Sequence, residues 1–160
     1  IWRSVCWSTE TGLFVAVSNL GVATPVMTSP DGITWTLRAA PTGKGWATVC
    51  WAPALGLFVA VGAMGTGNRV MTSPDGITWT LRATPADLVW SQVCWSPADN
   101  LLVAVAATGA SGRVMTSPNG ITWTLRNAGN GGIWGAVTWG VTSIDPHLWW
   151  RNLSNATQTL

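Results

Sequence analysis

Short apolar runs of two kinds alternate along this chain, and both have the period of a strand. Within residues 46–88, Leu57–Val61 is apolar at every position, the pattern of a strand buried on both faces. Ile77, Trp79 and Leu81 instead alternate with Thr78, Thr80 and Arg82, which predicts a strand over Ile77–Arg82 with one wet face. Trp46–Trp51 and Arg69–Thr72 complete a set of four predicted strands. Pro53 and Gly56 mark the first turn between them and the Gly-rich stretch Gly62–Asn68 the second. Ser73-Pro-Asp-Gly makes the third, with Pro presetting φ and Gly free to take positive φ. No stretch has the apolar spacing of an amphipathic helix.

The whole set recurs. Val-Met-Thr-Ser-Pro-Asp-Gly-Ile-Thr-Trp-Thr-Leu-Arg stands at Val26–Arg38, unchanged at Val70–Arg82, and at Val114–Arg126 with Asn119 in place of Asp, a shift of 44 residues each time. Trp2, Trp46, Trp90 and Trp134 share one repeat position, and Trp7, Trp51, Trp95 and Trp139 another. The repeats occupy 1–139, as units 2–44, 46–88 and 90–131 and a partial unit 134–139, and leave a non-repeat tail at 140–160. Four antiparallel strands in a unit of about 40–50 residues predict a β-propeller blade. The expected fold is all-β, with about three and a quarter blades.

Ser-Pro-Asp-Gly-Ile-Thr-Trp resembles the Asp-box of BNR-type propellers, the repeat of sialidases and many noncatalytic relatives, with one residue fewer between Asp and Gly. The resemblance implies that Ser29, Asp31, Gly32, Thr34 and Trp35 form the turn between a blade's third and fourth strands. Ser73, Asp75, Gly76, Thr78 and Trp79 match them in the next copy, and Ser117, Asn119, Gly120, Thr122 and Trp123 in the third. It further implies that these residues are structural and lie away from the ligand face. A sialidase needs an Arg cluster, a Tyr nucleophile and acidic partners, whereas this chain has no Tyr. The expectation is therefore a noncatalytic protein.

Composition narrows the classes. The net charge of +2 comes with no basic run, so nucleic acid is not an expected partner. No apolar run approaches the roughly 18 residues that span a bilayer. Cys6, Cys50 and Cys94 are one repeat position, read as small apolar residues of a packed strand. No cofactor motif or metal cluster is visible, since Asp31 and Asp75 supply one carboxylate per blade, too few oxygens for a cation. His147 lies in the tail, so a Ser-His-Asp triad has no home in the repeats.

Three blades do not close a ring, because propellers have about 4–8. Two chains would supply six to eight, which predicts a homodimer completing one ring; the alternative is a fragment of a longer propeller. Over His147–Arg151 a shifted reading frame can restore Leu-Leu-Val-Ala, as at Leu101–Ala104, so a displaced fourth blade is one reading of the tail.

The copies differ in the second-to-third loops, Asn19–Pro25, Ala63–Arg69 and Ala106–Arg113, and in the links Ala39–Gly45, Ala83–Val89 and Asn127–Ile133. Divergence on one face of a repeated unit fits a binding face. Trp46, Trp90 and Trp134, with Arg69, Arg113 and Asp87, are the candidate ligand residues there, since indole stacks on sugar rings and guanidinium donates to hydroxyls or a carboxylate. The expected function is a lectin-like binding module in an extracellular or particle-surface setting. The alternative is a structural or protein-interaction propeller, such as a cell-surface or phage-particle component. Arg38, Arg82 and Arg126 read as a solubilising rim.

Overall fold

The computed structural model describes residues 1–20, 23–41, 43–109, 113–129, 134–141, 146–152 and 158–159, with side chains through Gly140. Parts of the variable segments (21–22, 42, 110–112, 130–133) and Asp145 lie outside the described residues. β1 (Trp2–Ser8), β2 (Leu13–Ser18), β3 (Val26–Ser29) and β4 (Thr36–Arg38) form the first blade, in that order from inside to outside. β5 (Trp46–Ala52), β6 (Leu57–Gly62), β7 (Val70–Ser73) and β8 (Thr80–Arg82) repeat it. So do β9 (Trp90–Ser96), β10 (Leu101–Ala106), β11 (Val114–Ser117) and β12 (Thr124–Arg126). β13 (Trp134–Val141), β14 (Pro146–Asn152) and β15 (Gln158–Thr159) make a three-stranded fourth sheet, so the tail's backbone joins a sheet that opens in the partial unit. All neighbours are antiparallel, and the chain is an all-β protein of propeller blades.

The second strands of blades two and three are apolar throughout because each of these blades is covered on both sides. On β6, Phe58 and Ala60 face blade one while Val59 and Val61 face blade three. On β10, Leu102 and Ala104 face blade two while Val103 and Val105 face the fourth sheet. Blades two and three thus each have a front, which meets the blade before, and a back, which meets the blade after; the corresponding front of blade one is exposed. Full burial of one such side chain contributes about 1.5–3 kcal/mol.

The innermost strands break the simple alternation. Trp46 and Val49 are three residues apart, which in a regular strand puts them on opposite faces, yet both pack against blade one. The cause is a β-bulge: Trp46 pairs with Gly62 and Thr48 with Val61, so Ala47 is an extra residue that moves the phase by one. The same shift recurs at Trp2/Ser4, at Trp90/Gln92 and at Trp134/Ala136. Trp90 with Val93, and Trp134 with Val137, therefore also share a face.

The fourth strands are shorter than their apolar pattern predicts. β8 begins at Thr80 rather than Ile77 because the amides of Ile77 and Thr78 donate to Asp75 Oδ1 (2.8 and 2.7 Å) and are not free for the ladder. Ser73 Oγ accepts from Gly76 N (2.8 Å), and Trp79 Nε1 donates to Gly76 O (3.1 Å). Blade one repeats these bonds around Asp31. Blade three repeats them around Asn119. Asn replaces Asp at no cost in bonds because only Oδ1 accepts.

The turn amides also set the acidity of the two carboxyls. The amides of Thr34 and Ile33, with the Ser29 hydroxyl, lower Asp31 to about 2. At Asp75 desolvation acts in the opposite direction, but the amides of Thr78 and Ile77 outweigh it and the carboxyl stays below its usual range.

Candidate functional site

The candidate ligand residues read from the sequence do not present a stacking platform. Trp46 and Trp90 are wholly buried and Trp134 nearly so. Trp46 Nε1 donates to Pro41 O (3.1 Å) and Trp90 Nε1 to Ala86 O (3.3 Å), so each indole is wedged between blades and tied to the preceding link. The expectation of an indole face open to a sugar fails here, because the bulge turns these side chains into the blade interface rather than toward the rim.

Arg69 is likewise committed. Its guanidinium donates to Leu88 O (2.8 Å) and to Gly65 O, clipping the second-to-third loop to the inter-blade link. Asp87 Oδ1 lies 2.8 Å from Arg69 Nε, close enough for an ion pair but off the hydrogen-bond line. Asp87 is half exposed and Arg69 buried, so this pair reads first as a loop clasp. Arg113 occupies the equivalent position in blade three and is half-buried. The rim arginines do more than solubilise: Arg38, Arg82 and Arg126 each donate from Nε to Thr28, Thr72 and Thr116 (3.0, 2.9 and 2.9 Å), bracing the fourth strand against the third.

The structure instead brings together a set that sequence reasoning missed. A cleft of about 480 Å³ opens at the variable-loop end of the innermost strands. Its floor holds the three bulge residues Arg3, Ala47 and Ser91 and the residues that follow them, Ser4, Thr48 and Gln92. Asn19, Ala63 and Met64, from the second-to-third loops of blades one and two, close its side. A bulge re-aims a side chain out of the pleat, and here it aims three of them at the same cleft. These floor positions differ from copy to copy, as Arg3, Ala47, Ser91 and Ser4, Thr48, Gln92, while the next position is Val in every unit. That contrast within one strand is the sequence signal for the floor, and it spans only two positions beside a constant valine.

Several polar groups of the cleft already stitch the blades together. Ser4 Oγ accepts from Val49 N (3.2 Å), Thr48 Oγ1 donates to Ser91 O (2.6 Å), and Ser91 Oγ donates to Trp134 O (3.1 Å). With its amide turned to suit both neighbours, Asn19 donates to Ile1 O (3.1 Å) and accepts from Arg3 Nε (3.0 Å). That contact holds one edge of the guanidinium and leaves Nη1 directed elsewhere. Among the described residues, neither Arg3 Nη1 nor the Gln92 carboxamide has a protein partner. Met64, more than half exposed, supplies an apolar patch beside them.

Among the described residues the lining holds one cation and no carboxylate, and no cluster of His, Cys, Asp and Glu could hold a metal. Just below, burial pushes the Cys6 and Cys94 thiols up to about 12. It raises Cys50 as well, with both flanking thiols adding to the effect. These thiols stay neutral, poor nucleophiles near neutral pH.

No protein-family model matches the chain, and no curated protein matches it. Solved structures do. A chain of the nidogen/laminin complex superposes with a TM-score of 0.72 at 11% identity, over 95% of this chain and 57% of that one. An auxiliary nutrient binding protein from Bacteroides thetaiotaomicron gives 0.68 at 12%, over 96% and 43%. The GH74 enzyme of Niastella koreensis gives 0.67 at 18%, over 99% and 22%. At these identities the likeness is one of fold, and the neighbours are β-propeller-like. The chain spans 57% or less of each of them.

Proposed function

We propose that this chain is a noncatalytic binding propeller whose ligand site is the axial cleft, and that the ligand is a carbohydrate. The observation that carries the reading is the floor of bulged residues: the copies are free to differ there and keep their packing positions constant. Arg3 Nη1 offers donors to hydroxyls or a sugar carboxylate, the Gln92 carboxamide both donates and accepts, and Met64 takes the apolar face of a ring. A solved nutrient binding protein of the same fold supports a binding role at a coarse level.

The absence of a carboxylate from the cleft lining argues for binding without turnover, since glycoside hydrolysis uses two carboxyls within about 10 Å of each other. A glycan array with neutral and acidic arms tests the reading. Binding to one class, lost in Arg3→Ala and Gln92→Ala with the circular dichroism spectrum unchanged, is the expected result. No glycan bound at high protein concentration would sink it. Turnover of a generic glycoside that Asp87→Asn abolishes would overturn the noncatalytic assignment.

A second reading, a protein-interaction propeller, rests on a separate observation. Blade one leaves Trp2, Val5 and Trp7 exposed on its front.

A further inference from the structure

The small net charge of +2 conceals a separation of charge between the two ends of the blades. The turns after the first and third strands carry Glu10, Asp31, Asp75 and Asp99, and among the described residues no cation stands with them. Each of these carboxylates is fixed in place. Glu10 accepts from Trp51 Nε1 (2.7 Å), Asp99 from Ser96 Oγ (2.6 Å), and Asp31 and Asp75 from their own turn amides. The variable-loop end carries Arg3, Lys44, Arg69 and Arg113, with Asp87 as its one described carboxylate. Arg38, Arg82 and Arg126 close the outer strands and fold back along the flank onto their threonines. The two remaining charged side chains, Asp145 and Arg151, belong to the tail.

Three of the loop-face cations stand round the axial cleft. Arg3 lies on its floor, held along one edge of the guanidinium by Asn19. Lys44 O accepts from Met64 N (2.7 Å), which sets Lys44 beside the cleft's apolar patch, and Lys44 Nζ donates to Thr66 O. Arg69 grips the carbonyl one residue earlier, Gly65 O. The link and the loops are packed closely here, since a Cβ on Gly45 would meet Met64 Sδ at 2.6 Å and Asn19 O at 2.8 Å. The carbonyls orient the cations but carry no net charge, so the charge of Asp87 offsets one of the three. A concave site walled by one sign of charge focuses the field and concentrates ligands of the opposite sign.

We propose that the ligand of the axial cleft is an acidic polysaccharide, a sugar chain bearing carboxylates or sulfates, which lies across the loop face with one acidic group on Arg3 and others toward Lys44 and Arg69. The proposal rests on the carbohydrate reading and supplies its chemical class. With Nε and Nη2 turned to Asn19, the Arg3 guanidinium keeps its Nη1 edge for an oxyanion, and the fork of Arg suits a carboxylate or sulfate. The neutral Gln92 and Met64 stand between the cations and suit the uncharged rings and hydroxyls of such a chain. Nucleic acid fits less well, because a strand carries a charge about every 3.4 Å, whereas this face sets its cations singly among neutral groups. The four carboxylates of the turn end repel the same chain, so the separation of charge also selects which face it meets.

The test is a panel of uronate-bearing and sulfated polysaccharides, each set against its carboxyl-reduced or desulfated counterpart and titrated into the chain at several salt concentrations. Single-stranded DNA serves as a second polyanion. The expected result is an acidic chain bound at least about tenfold more tightly than its neutral counterpart. With three charge contacts its affinity should fall roughly tenfold between about 50 and 200 mM salt. Arg3→Gln should weaken binding about tenfold or more, Arg3→Lys should keep the salt dependence without the full affinity, and Lys44→Gln should lower the salt slope by about one. All three should leave the circular dichroism spectrum unchanged. Equal binding of the acidic chains and their neutral counterparts would overturn the proposal and leave the carbohydrate reading standing. A preference for acidic chains that survives both Arg3→Gln and Lys44→Gln would do the same, since its contact would lie elsewhere. DNA bound more tightly than every acidic glycan would overturn it by assigning the face to nucleic acid. A panel with no member bound would sink both readings together.

Discussion

Blade one and blade two carry nearly the same front in the same register, and they differ only in what stands before them. Trp2, Val5 and Trp7 pair with β2 as Trp46, Val49 and Trp51 pair with β6, bulge included. Yet Trp46 and Val49 are core residues, while Trp2 and Val5 face solvent. Burial in this fold is therefore not a property of a residue or even of a blade. It belongs to the junction between two blades, as expected where stability is a sum of unit and nearest-neighbour terms.

The largest break in that comparison should come from charge. Val49→Arg buries an unpaired guanidinium at a closed junction, costing on the order of 3–5 kcal/mol, and should abolish the cooperative unfolding transition. Val5→Arg, at the open junction, should leave the far-ultraviolet circular dichroism spectrum of the chain intact.

Truncation should separate the two junctions nearly as far. Trp90→Ala empties a wholly buried site and should cost about 3–5 kcal/mol in urea unfolding. Trp2→Ala, measured in dilute solution, should cost about 1 kcal/mol or less, because its indole is 42% exposed. Equal losses at the two sites would mean that blade one's front is covered even in the single chain.

The turns offer a finer contrast. Gly32 and Gly76 both have positive φ (74° and 72°), but a Cβ on Gly76 would meet Val15 Cγ2 at 2.9 Å across the junction, whereas one on Gly32 would come no closer than 3.6 Å to Phe14. Gly32→Ala should cost about 1 kcal/mol from backbone strain alone. Gly76→Ala should cost about twice that, from strain plus overpacking, by the same urea midpoint.

The smallest effect concerns acid. Asp31 has a folded pKa of about 2 against an ordinary 3.8, so its contribution is complete above about pH 4 and is lost as pH falls through 2. Asp75 is lowered too and acts with the same sign. Asn119 makes the equivalent amide bonds without a titrating group. Urea midpoints measured between pH 4 and pH 2 should fall less steeply in Asp31→Asn with Asp75→Asn, and more steeply in Asn119→Asp.

Counting along the chain reached the blade, its four strands, its turns and its repeat spacing, because these rest on local patterns. Strand alternation, Pro and Gly placement and an Asp or Asn beside its own amides all act within a few residues. The unbroken apolar second strands even announced two covered faces. Counting missed the bulge, and with it the site. One extra residue at Arg3, Ala47 and Ser91 swings Trp46 and Trp90 into the core and the variable side chains toward the axis. That shift depends on how the first strand pairs with the second across a turn. Pairing joins residues far apart in sequence, and it is the same in blade one, where no preceding blade covers Trp2; what the neighbouring blade decides is whether that phase buries the tryptophan, as it does at Trp46 and Trp90.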